Sequence, residues 1–175
     1  RVGMDYLQNN AKVIAKEGIP IHWVTPVGFP VFQYYPEMKS KRVRSHLMGE
    51  VFAPQIKEET KETDKLRSRN AVAANYVHSL DSACMIKTVN IAKAKGIDNF
   101  CNVHDSFATH ACDVDKLNLS IREAFVETFS KDLLGKFKVD VGRLLDDETR
   151  GKLPTIPESG DLELDLLYQS KFFFA

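Results

Sequence analysis

Two adjacent polar residues, His104 and Asp105, end an apolar stretch within the segment NVHDSFATHACDVD at residues 102 to 115. A carboxylate at a reversal of the chain suits a hard divalent cation, because Mg²⁺ is usually held by one or two carboxylates together with substrate phosphates. The competing interpretation is a turn aspartate that accepts hydrogen bonds from its own backbone. Short motifs often match by chance, so these two residues alone favour the turn aspartate. A phosphohydrolase of the HD type is disfavoured, because its metal site needs further histidine and aspartate ligands on helices.

Basic side chains crowd a second segment, MKSKRVRSHLMGE at residues 38 to 50, which contains Lys39, Lys41, Arg42 and Arg44. With VFAPQI after it, this segment predicts a long, exposed β-hairpin that reverses at its glycine. Arg42 and Arg44 are two residues apart, so on one strand they would point to the same face. A two-stranded ribbon fits the major groove of DNA, where arginine bonds guanine through two hydrogen bonds. The alternative is a solvated hairpin edge that resists aggregation.

Composition sets wider limits on the function. The 175 residues suffice for one domain with a proper core, and 43% of them are hydrophobic. The formal net charge is zero, so any nucleic-acid partner must be recognised by local patches rather than by bulk charge. Three cysteines, Cys84, Cys101 and Cys112, lack metal-binding spacing. No apolar run is long enough to span a membrane, and the start at Arg1 without a methionine predicts a piece of a longer protein.

The periodicity of apolar residues predicts an α+β fold, a compact body with one protruding β-hairpin. Glycines and β-branched runs mark the boundaries between the elements. The predicted elements, in chain order, are a helix at 4–17 with Met4, Leu7, Ala11 and Ile14 on its apolar face, two strands within 19–35, the hairpin at about 36–57, a mobile connection at 57–69, a helix at 77–95, a strand at 99–105 that turns back over 106–111, a helix capped by Asp113 or Asp115 with Leu117, Ile121, Phe125 and Phe129 buried, a helix at 131–148, and an amphipathic segment at 161–170.

Four segments resemble the single-subunit RNA polymerases of bacteriophages and mitochondria. VHDSF at 103 to 107 resembles motif C of that family, and NYVHSLDSACM at 75 to 85 resembles the segment that precedes motif C. WVTPVGFPVFQ at 23 to 33 is similar to the strand pair that leads into the promoter-binding hairpin. The terminal FFFA at 172 to 175 resembles the family's aromatic tail. The segments occur in the family's order and spacing, so the resemblance covers nearly the whole chain.

The resemblance implies the carboxy-terminal part of a larger right-hand polymerase. The fold expected for it is palm-type antiparallel strands with packed helices, forming a palm and fingers portion over 1–175 with a carboxy-terminal tail at 161–175. Asp105 would be one of two aspartates that hold two catalytic Mg²⁺ ions, and it would be the catalytic residue of this chain. The second aspartate, in motif A, and the lysine and tyrosine of the nucleotide-selecting helix lie upstream in the family and have no match here. The chain would therefore carry half of the metal site and no complete activity.

The resemblance also assigns nucleic-acid contacts. His78 matches a histidine that contacts the minor groove near the active site, where a small donor suits the acceptors; the alternative is an ordinary histidine at a helix start. His104 would lie beside the nucleic acid, and Arg42 and Arg44 would contact promoter bases. In the family the tail folds back to the active site, which implies that Phe174 and Ala175, with the terminal carboxylate, help to order it. The alternative is that the three phenylalanines simply dock into the core.

The function implied is template-directed transfer of nucleoside monophosphates from NTPs to the 3′ end of RNA, with promoter recognition by the basic hairpin. The expected partners are promoter DNA, template DNA, nascent RNA, NTPs and the remainder of the polymerase, without a membrane. One alternative is a DNA polymerase of the same superfamily; those enzymes usually carry glutamate where Ser106 stands. Another is a non-catalytic DNA-binding module. The expected location is the cytoplasm of an infected host for a phage enzyme, or the mitochondrion for an organellar one.

Overall fold

The computed structural model describes residues 1–103 and 105–173 of the chain, apart from the side chain of Leu47. Helices and small antiparallel strand pairs alternate along the chain, so the predicted α+β class is confirmed. The elements are α1 (Val2–Lys16), β1 (Ile21–Val24), β2 (Pro30–Gln33), β3 (Pro36–Arg42), β4 (Ser45–Leu47), β5 (Glu50–Phe52), β6 (Gln55–Thr63), α2 (Lys65–Ala94), β7 (Cys101–Val103), β8 (Ser106–Ala108), α3 (Val114–Phe129), α4 (Leu133–Gly142) and α5 (Asp147–Gly151), with short 3₁₀ turns at Ala111–Asp113 and Leu164–Tyr168.

The larger core lies where α1, α2 and α4 meet the β1–β2 pair. On α1 the residues Leu7, Ala11 and Ile14 are buried, as their helical spacing predicts, whereas Met4 is exposed. Trp23 of β1 is almost fully buried, and its indole nitrogen donates to the Ser79 hydroxyl at 2.9 Å. This contact satisfies the polar end of a large aromatic side chain inside the core. It also joins β1 to the middle of α2.

Helix α2 is longer than the sequence predicts. The predicted helix begins at residue 77, yet α2 begins at Lys65, where the Asp64 carboxylate caps it by accepting from the Arg67 N–H at 2.9 Å. The first turns, KLRSRN, carry little apolar periodicity, and that explains the error. The prediction of a mobile connection over 57–69 is therefore wrong, because β6 runs to Thr63 and α2 follows after one residue.

Strands β3 to β6 form two successive antiparallel pairs of one ribbon. In the longer pair, β3 runs opposite β6 from Pro36 against Thr63 to Arg42 against Gln55. In the shorter pair, β4 runs opposite β5 and is joined to it by Met48 and Gly49, whose φ angles are +50° and +85°. Two consecutive positive φ angles are the requirement of a tight turn that matches the twist of a hairpin. Nearly all described side chains of this ribbon are exposed or half-buried.

A second, smaller core lies between α2, α3 and the β7–β8 pair. Leu117 and Ile121 of α3 are buried there, and Phe107 of β8 packs against them. Phe125 and Phe129 continue the α3 stripe half-buried, so the predicted face of this helix is confirmed. The helix predicted over 131–148 is divided into α4 and α5 instead.

Two aspartates, Asp140 and Asp146, fix the positions of α4 and α5. The break between α4 and α5 coincides with Asp146, whose carboxylate caps α5 by accepting from the Thr149 N–H at 2.9 Å. Asp140 of α4 is buried and accepts from the Val24 N–H at 3.0 Å, so it ties α4 to β1.

In the part of the chain that the structure describes, no helix combines the length and apolarity needed to cross a bilayer.

Candidate functional site

Asp105 lies at the tight reversal between β7 and β8. The two strands pair antiparallel, with Val103 opposite Ser106, so Asp105 lies in the short connection between them. Asp105 is exposed, while Phe107, two residues later, is half-buried in the smaller core. The carboxylate is therefore presented to solvent from a short hairpin that is anchored by an apolar side chain. His104, the neighbouring predicted site residue, lies outside the described residues.

A small cavity of about 130 Å³ adjoins Asp105. It carries a second carboxylate, that of Asp81 on α2, which the sequence analysis did not single out. Asp81 lies three residues after His78 on the same helix, and this proximity to a predicted site residue was the available signal. The rest of the cavity is largely apolar, lined by Cys84, Met85, Phe107, Ile121, Phe125 and Phe129.

The thiol of Cys84 lies in the same cavity wall and is not set up as a nucleophile. Burial raises its pKa, and the nearby negative charge of Asp81 raises it further. A raised pKa keeps the sulfur protonated at neutral pH, whereas a reactive cysteine needs its thiolate form. The chemistry available in this cavity is consequently that of its two carboxylates.

Carboxylates of this kind fit a magnesium ion, but the described residues do not make a complete site. Among residues 1–103 and 105–173, no group of three or more histidine, cysteine, aspartate or glutamate side chains is arranged to hold a metal. An exposed aspartate on a short, anchored turn is nevertheless a suitable Mg²⁺ ligand, because this ion takes few protein ligands and completes its shell from water and substrate. Asp105 fits such a site as one of several oxygen donors.

His78 lines a separate cavity of about 240 Å³ between α2 and the turn that joins β1 to β2. The prediction that it opens a helix is wrong, because α2 begins thirteen residues earlier, at Lys65. Its imidazole is exposed, and the wall facing it is largely apolar, with Val27, Phe29 and Val31 from the strand pair. His78 and Asp81, one turn apart on α2, face different cavities, so α2 links the two.

Arg42 and Arg44 differ in their positions on the ribbon. Arg42 is the last residue of β3 and lies opposite Gln55 of β6, and both are exposed. Arg44 lies between β3 and β4, outside both strands. The argument that the two arginines share one strand face is therefore wrong, because the strand alternation on which it depends ends at Arg42. The two exposed guanidinium groups remain available at the middle of the ribbon.

The other face of the longer pair carries a neutralised charge. The Lys41 ammonium lies 3.5 Å from a carboxylate oxygen of Glu58 on β6, and both side chains are more than half exposed. Since neighbouring residues of a strand point to opposite faces, Lys41 and Arg42 lie on different faces of the pair. Within the described residues, Arg42 makes no ion pair, so its guanidinium is available to a ligand, whereas the Lys41 ammonium is paired.

The carboxy-terminal segment packs back against α3. Arg122 of α3 is 6% exposed, and its guanidinium donates to the backbone oxygen of Leu167 and to the Asn118 side chain at 2.8 Å. The same guanidinium lies over the ring of Phe173, 5.2 Å from its centroid. Phe172 is 84% exposed, so docking of the whole aromatic run into the core is wrong for this residue. Phe174 and Ala175, the predicted tail site, lie outside the described residues.

Comparisons with known proteins show which family this chain is similar to. A family model described as DNA-dependent RNA polymerase matches residues 1–153. The chain is 39% identical over 178 residues to "DNA-directed RNA polymerase 2, chloroplastic/mitochondrial" of Arabidopsis thaliana, covering 99% of this chain and 16% of that protein. It is 38% identical to "DNA-directed RNA polymerase 2A" of Nicotiana tabacum, covering 98% of this chain and 49% of that protein. It is 39% identical to "DNA-directed RNA polymerase 3, chloroplastic" of Nicotiana sylvestris, over 98% of this chain and 17% of that protein.

Proposed function

Because the chain belongs to the DNA-dependent RNA polymerase family, of the single-subunit phage type, we propose that it is the carboxy-terminal palm and fingers portion of such an enzyme. The complete enzyme would transfer nucleoside monophosphates from NTPs to the 3′ end of RNA on a DNA template. The observation that carries this proposal is the family match over residues 1–153 together with the position of Asp105 at the β7–β8 reversal. The chain spans only 16% to 49% of the relatives described above, so the remainder of the enzyme supplies the rest of the site.

Asp105 is the proposed catalytic and metal-binding residue of this portion. It would hold Mg²⁺ together with a second aspartate from the remainder of the polymerase, and the β7–β8 pair would form part of the palm. When bound, two Mg²⁺ ions lower the pKa of the attacking 3′-hydroxyl and stabilise the leaving pyrophosphate. This chain would contribute support, because the connection that bears Asp105 is anchored through Phe107 and would limit the positions of the carboxylate.

The proposed nucleic-acid contacts follow from exposure and charge. The ribbon formed by β3, β4, β5 and β6 would act as the specificity hairpin and protrude towards promoter DNA. Arg42 and Arg44 would donate to base edges in the major groove. His78 is exposed and lies one turn from Asp81 of the Asp105 cavity, which supports a contact with the duplex near the site of addition. His104 would contact the nucleic acid beside Asp105. Phe174 and Ala175 would extend the docked tail towards the active site.

The partners proposed are promoter and template DNA, nascent RNA and NTPs. The similar proteins carry chloroplastic and mitochondrial names, and this favours an organellar enzyme over a phage enzyme in an infected host. A DNA polymerase of the same superfamily remains the enzymatic alternative, although the relatives are named RNA polymerases. A non-catalytic DNA-binding module would need no metal, and the carboxylates of the Asp105 cavity would then have no function.

The test uses the complete enzyme with a promoter-containing template, Mg²⁺ and either ribonucleotides or deoxyribonucleotides. The proposal predicts RNA of defined length from ribonucleotides and little product from deoxyribonucleotides. Efficient deoxyribonucleotide incorporation would favour the DNA polymerase. Promoter binding without any product, unchanged when Mg²⁺ is chelated, would favour the binding module.

A further inference from the structure

The buried Arg122 has no role in the proposed chemistry, and its contacts are unusual for an arginine. It is 6% exposed, and the ion pairs of the described residues do not include it. Arginine is rarely buried unless it is paired with a negative charge, because removing the guanidinium from water is costly. Here the guanidinium is satisfied by neutral groups: the Asn118 amide oxygen, the Leu167 backbone oxygen and the face of the Phe173 ring.

Two of these three contacts belong to the carboxy-terminal segment. Leu167 lies in the 3₁₀ turn Leu164–Tyr168, and Phe173 lies five residues after that turn. The planar guanidinium can donate to one acceptor along its edge while its face covers an aromatic ring, a combination that a lysine ammonium does not reproduce. Arg122 therefore holds the segment at two points: the backbone oxygen of Leu167 and the side chain of Phe173.

The fixed segment in turn contacts the wall of the Asp105 cavity. The ring of Phe173 meets that of Phe125 edge to face, with 5.3 Å between centroids and 83° between planes. Phe125 lines the cavity that Asp105 adjoins. Phe173 also packs against the smaller core, which includes Ile121, and Phe107 of the Asp105 hairpin packs against that same core. The Arg122 guanidinium thus contacts the Phe173 ring, and the Phe173 ring contacts the Phe125 ring, which lines the Asp105 cavity.

The geometry points to Arg122 as a positioning residue: it clamps the carboxy-terminal segment against α3 and thereby sets the position of the cavity wall and hairpin that present the Asp105 carboxylate. This inference rests on the proposed role of Asp105. Arg122 is buried, so its proposed role is to position other groups and not to contact substrate or metal. Tight packing transmits such a constraint, because interdigitated side chains leave little room for compensating shifts. A misplacement of the order of 1 Å at a reacting group costs about 100-fold in rate.

The test compares Arg122→Lys with Arg150→Lys in the complete enzyme. Arg150 is the control: it is an arginine that donates to the backbone oxygens of Gly142 and Leu145 and pairs with Asp147, but it joins α5 to α4 away from the tail. For Arg122→Lys we expect a kcat for nucleotide addition lowered by between about 10- and 100-fold, with unchanged promoter affinity. Hydrogen exchange in the peptide 161–173 should become faster. Arg150→Lys should leave kcat and tail exchange unchanged, because its contacts lie within α4 and α5 and the turn between them.

A double-mutant cycle with Phe173→Leu separates positioning from a general loss of stability. If Arg122 acts through Phe173, the effects of the two changes on kcat are not additive, and the double variant resembles the stronger single one. Additive effects, or a kcat for Arg122→Lys equal to that of the wild type, would overturn the inference. Asp105→Asn, measured in parallel, distinguishes the two levels: if it abolishes addition while Arg122→Lys does not change kcat, only the positioning role fails, whereas an active Asp105→Asn enzyme removes the proposed function.

Discussion

Replacement of Arg42 by alanine tests the proposed promoter contact, and replacement of Lys41 provides its control. The two residues are neighbours on β3 and therefore lie on opposite faces of the β3–β6 pair. Arg42 is exposed, lies opposite the uncharged Gln55, and makes no ion pair within the described part of the chain. Lys41 lies 3.5 Å from a carboxylate oxygen of Glu58. Only the Arg42 face offers an unneutralised guanidinium to the major groove.

The size of the expected effect follows from these contacts. A guanidinium bonded to a base edge contributes about 1–3 kcal/mol of discrimination, which corresponds to about 5- to 150-fold in affinity. Replacing Arg42 by alanine removes no ion pair among the described residues. The measured loss of affinity should therefore reflect the lost base contact rather than a less stable protein. The Lys41–Glu58 pair is exposed, and such pairs are worth at most about 1 kcal/mol. Because Lys41 lies on the opposite face from Arg42 and its charge is paired with Glu58, Lys41→Ala should change promoter affinity by less than about fivefold.

The assay measures the affinity of the complete enzyme for a promoter duplex and for a scrambled duplex of equal length. Binding is monitored by fluorescence anisotropy at two salt concentrations. Arg42→Ala should weaken binding to the promoter and leave binding to the scrambled duplex nearly unchanged. An equal loss on both duplexes, with a reduced salt dependence, would instead identify Arg42 as a phosphate contact. A larger effect from Lys41→Ala would show that the assignment of the ribbon faces is wrong.

Three further predictions concern the tail, a buried carboxylate and a helix cap. Removal of Phe174 and Ala175 should preserve folding but weaken nucleotide addition, measured as a raised KM for NTPs, because the proposed extension of the tail towards the active site is lost. Asp140→Ala should lower the free energy of unfolding by about 1.5–3 kcal/mol in urea denaturation, since a buried charged acceptor that also pairs with Arg143 is lost. Hydrogen bonds from the Thr149 side chain and backbone lower the pKa of Asp146 below its usual value, so its carboxylate stabilises the fold above the unfolded pKa and less as the pH falls through the folded pKa. Asp146→Ala should therefore show a smaller drop in melting temperature than the wild type between about pH 6 and about pH 3.

Elements with a clear apolar period could be predicted from the sequence. Leu7, Ala11 and Ile14 recur at helical spacing and are buried on α1, and Leu117 and Ile121 do the same on α3. The strand pair β1–β2 and the reversal after Val103 were marked by β-branched residues and short polar turns. In these segments the local preference and the tertiary packing agree, so the sequence alone was sufficient.

Other features depend on tertiary structure and left no local signal. The first turns of α2 are polar, and only the Asp64 cap at their start distinguishes them from a loop. Arg42 and Arg44 were predicted to share one strand face, but β3 ends at Arg42, so Arg44 lies outside the strand. Burial of Arg122 could not be foreseen, because arginine is normally exposed and two of its three partners here lie 45 and 51 residues further along the chain.

The most direct test of the account is single-nucleotide addition by Asp105→Asn in the complete enzyme, on a preformed RNA–DNA duplex with saturating Mg²⁺. Asparagine keeps the shape of the side chain but removes the charged oxygen that a hard cation requires. Asp98→Asn, which changes another exposed aspartate in the loop before β7, is the control. We predict that Asp105→Asn lowers the rate of addition by at least about 100-fold, while promoter affinity and the Asp98→Asn enzyme stay near wild type. A rate of addition near that of the wild type would contradict the assignment of Asp105 to the metal site.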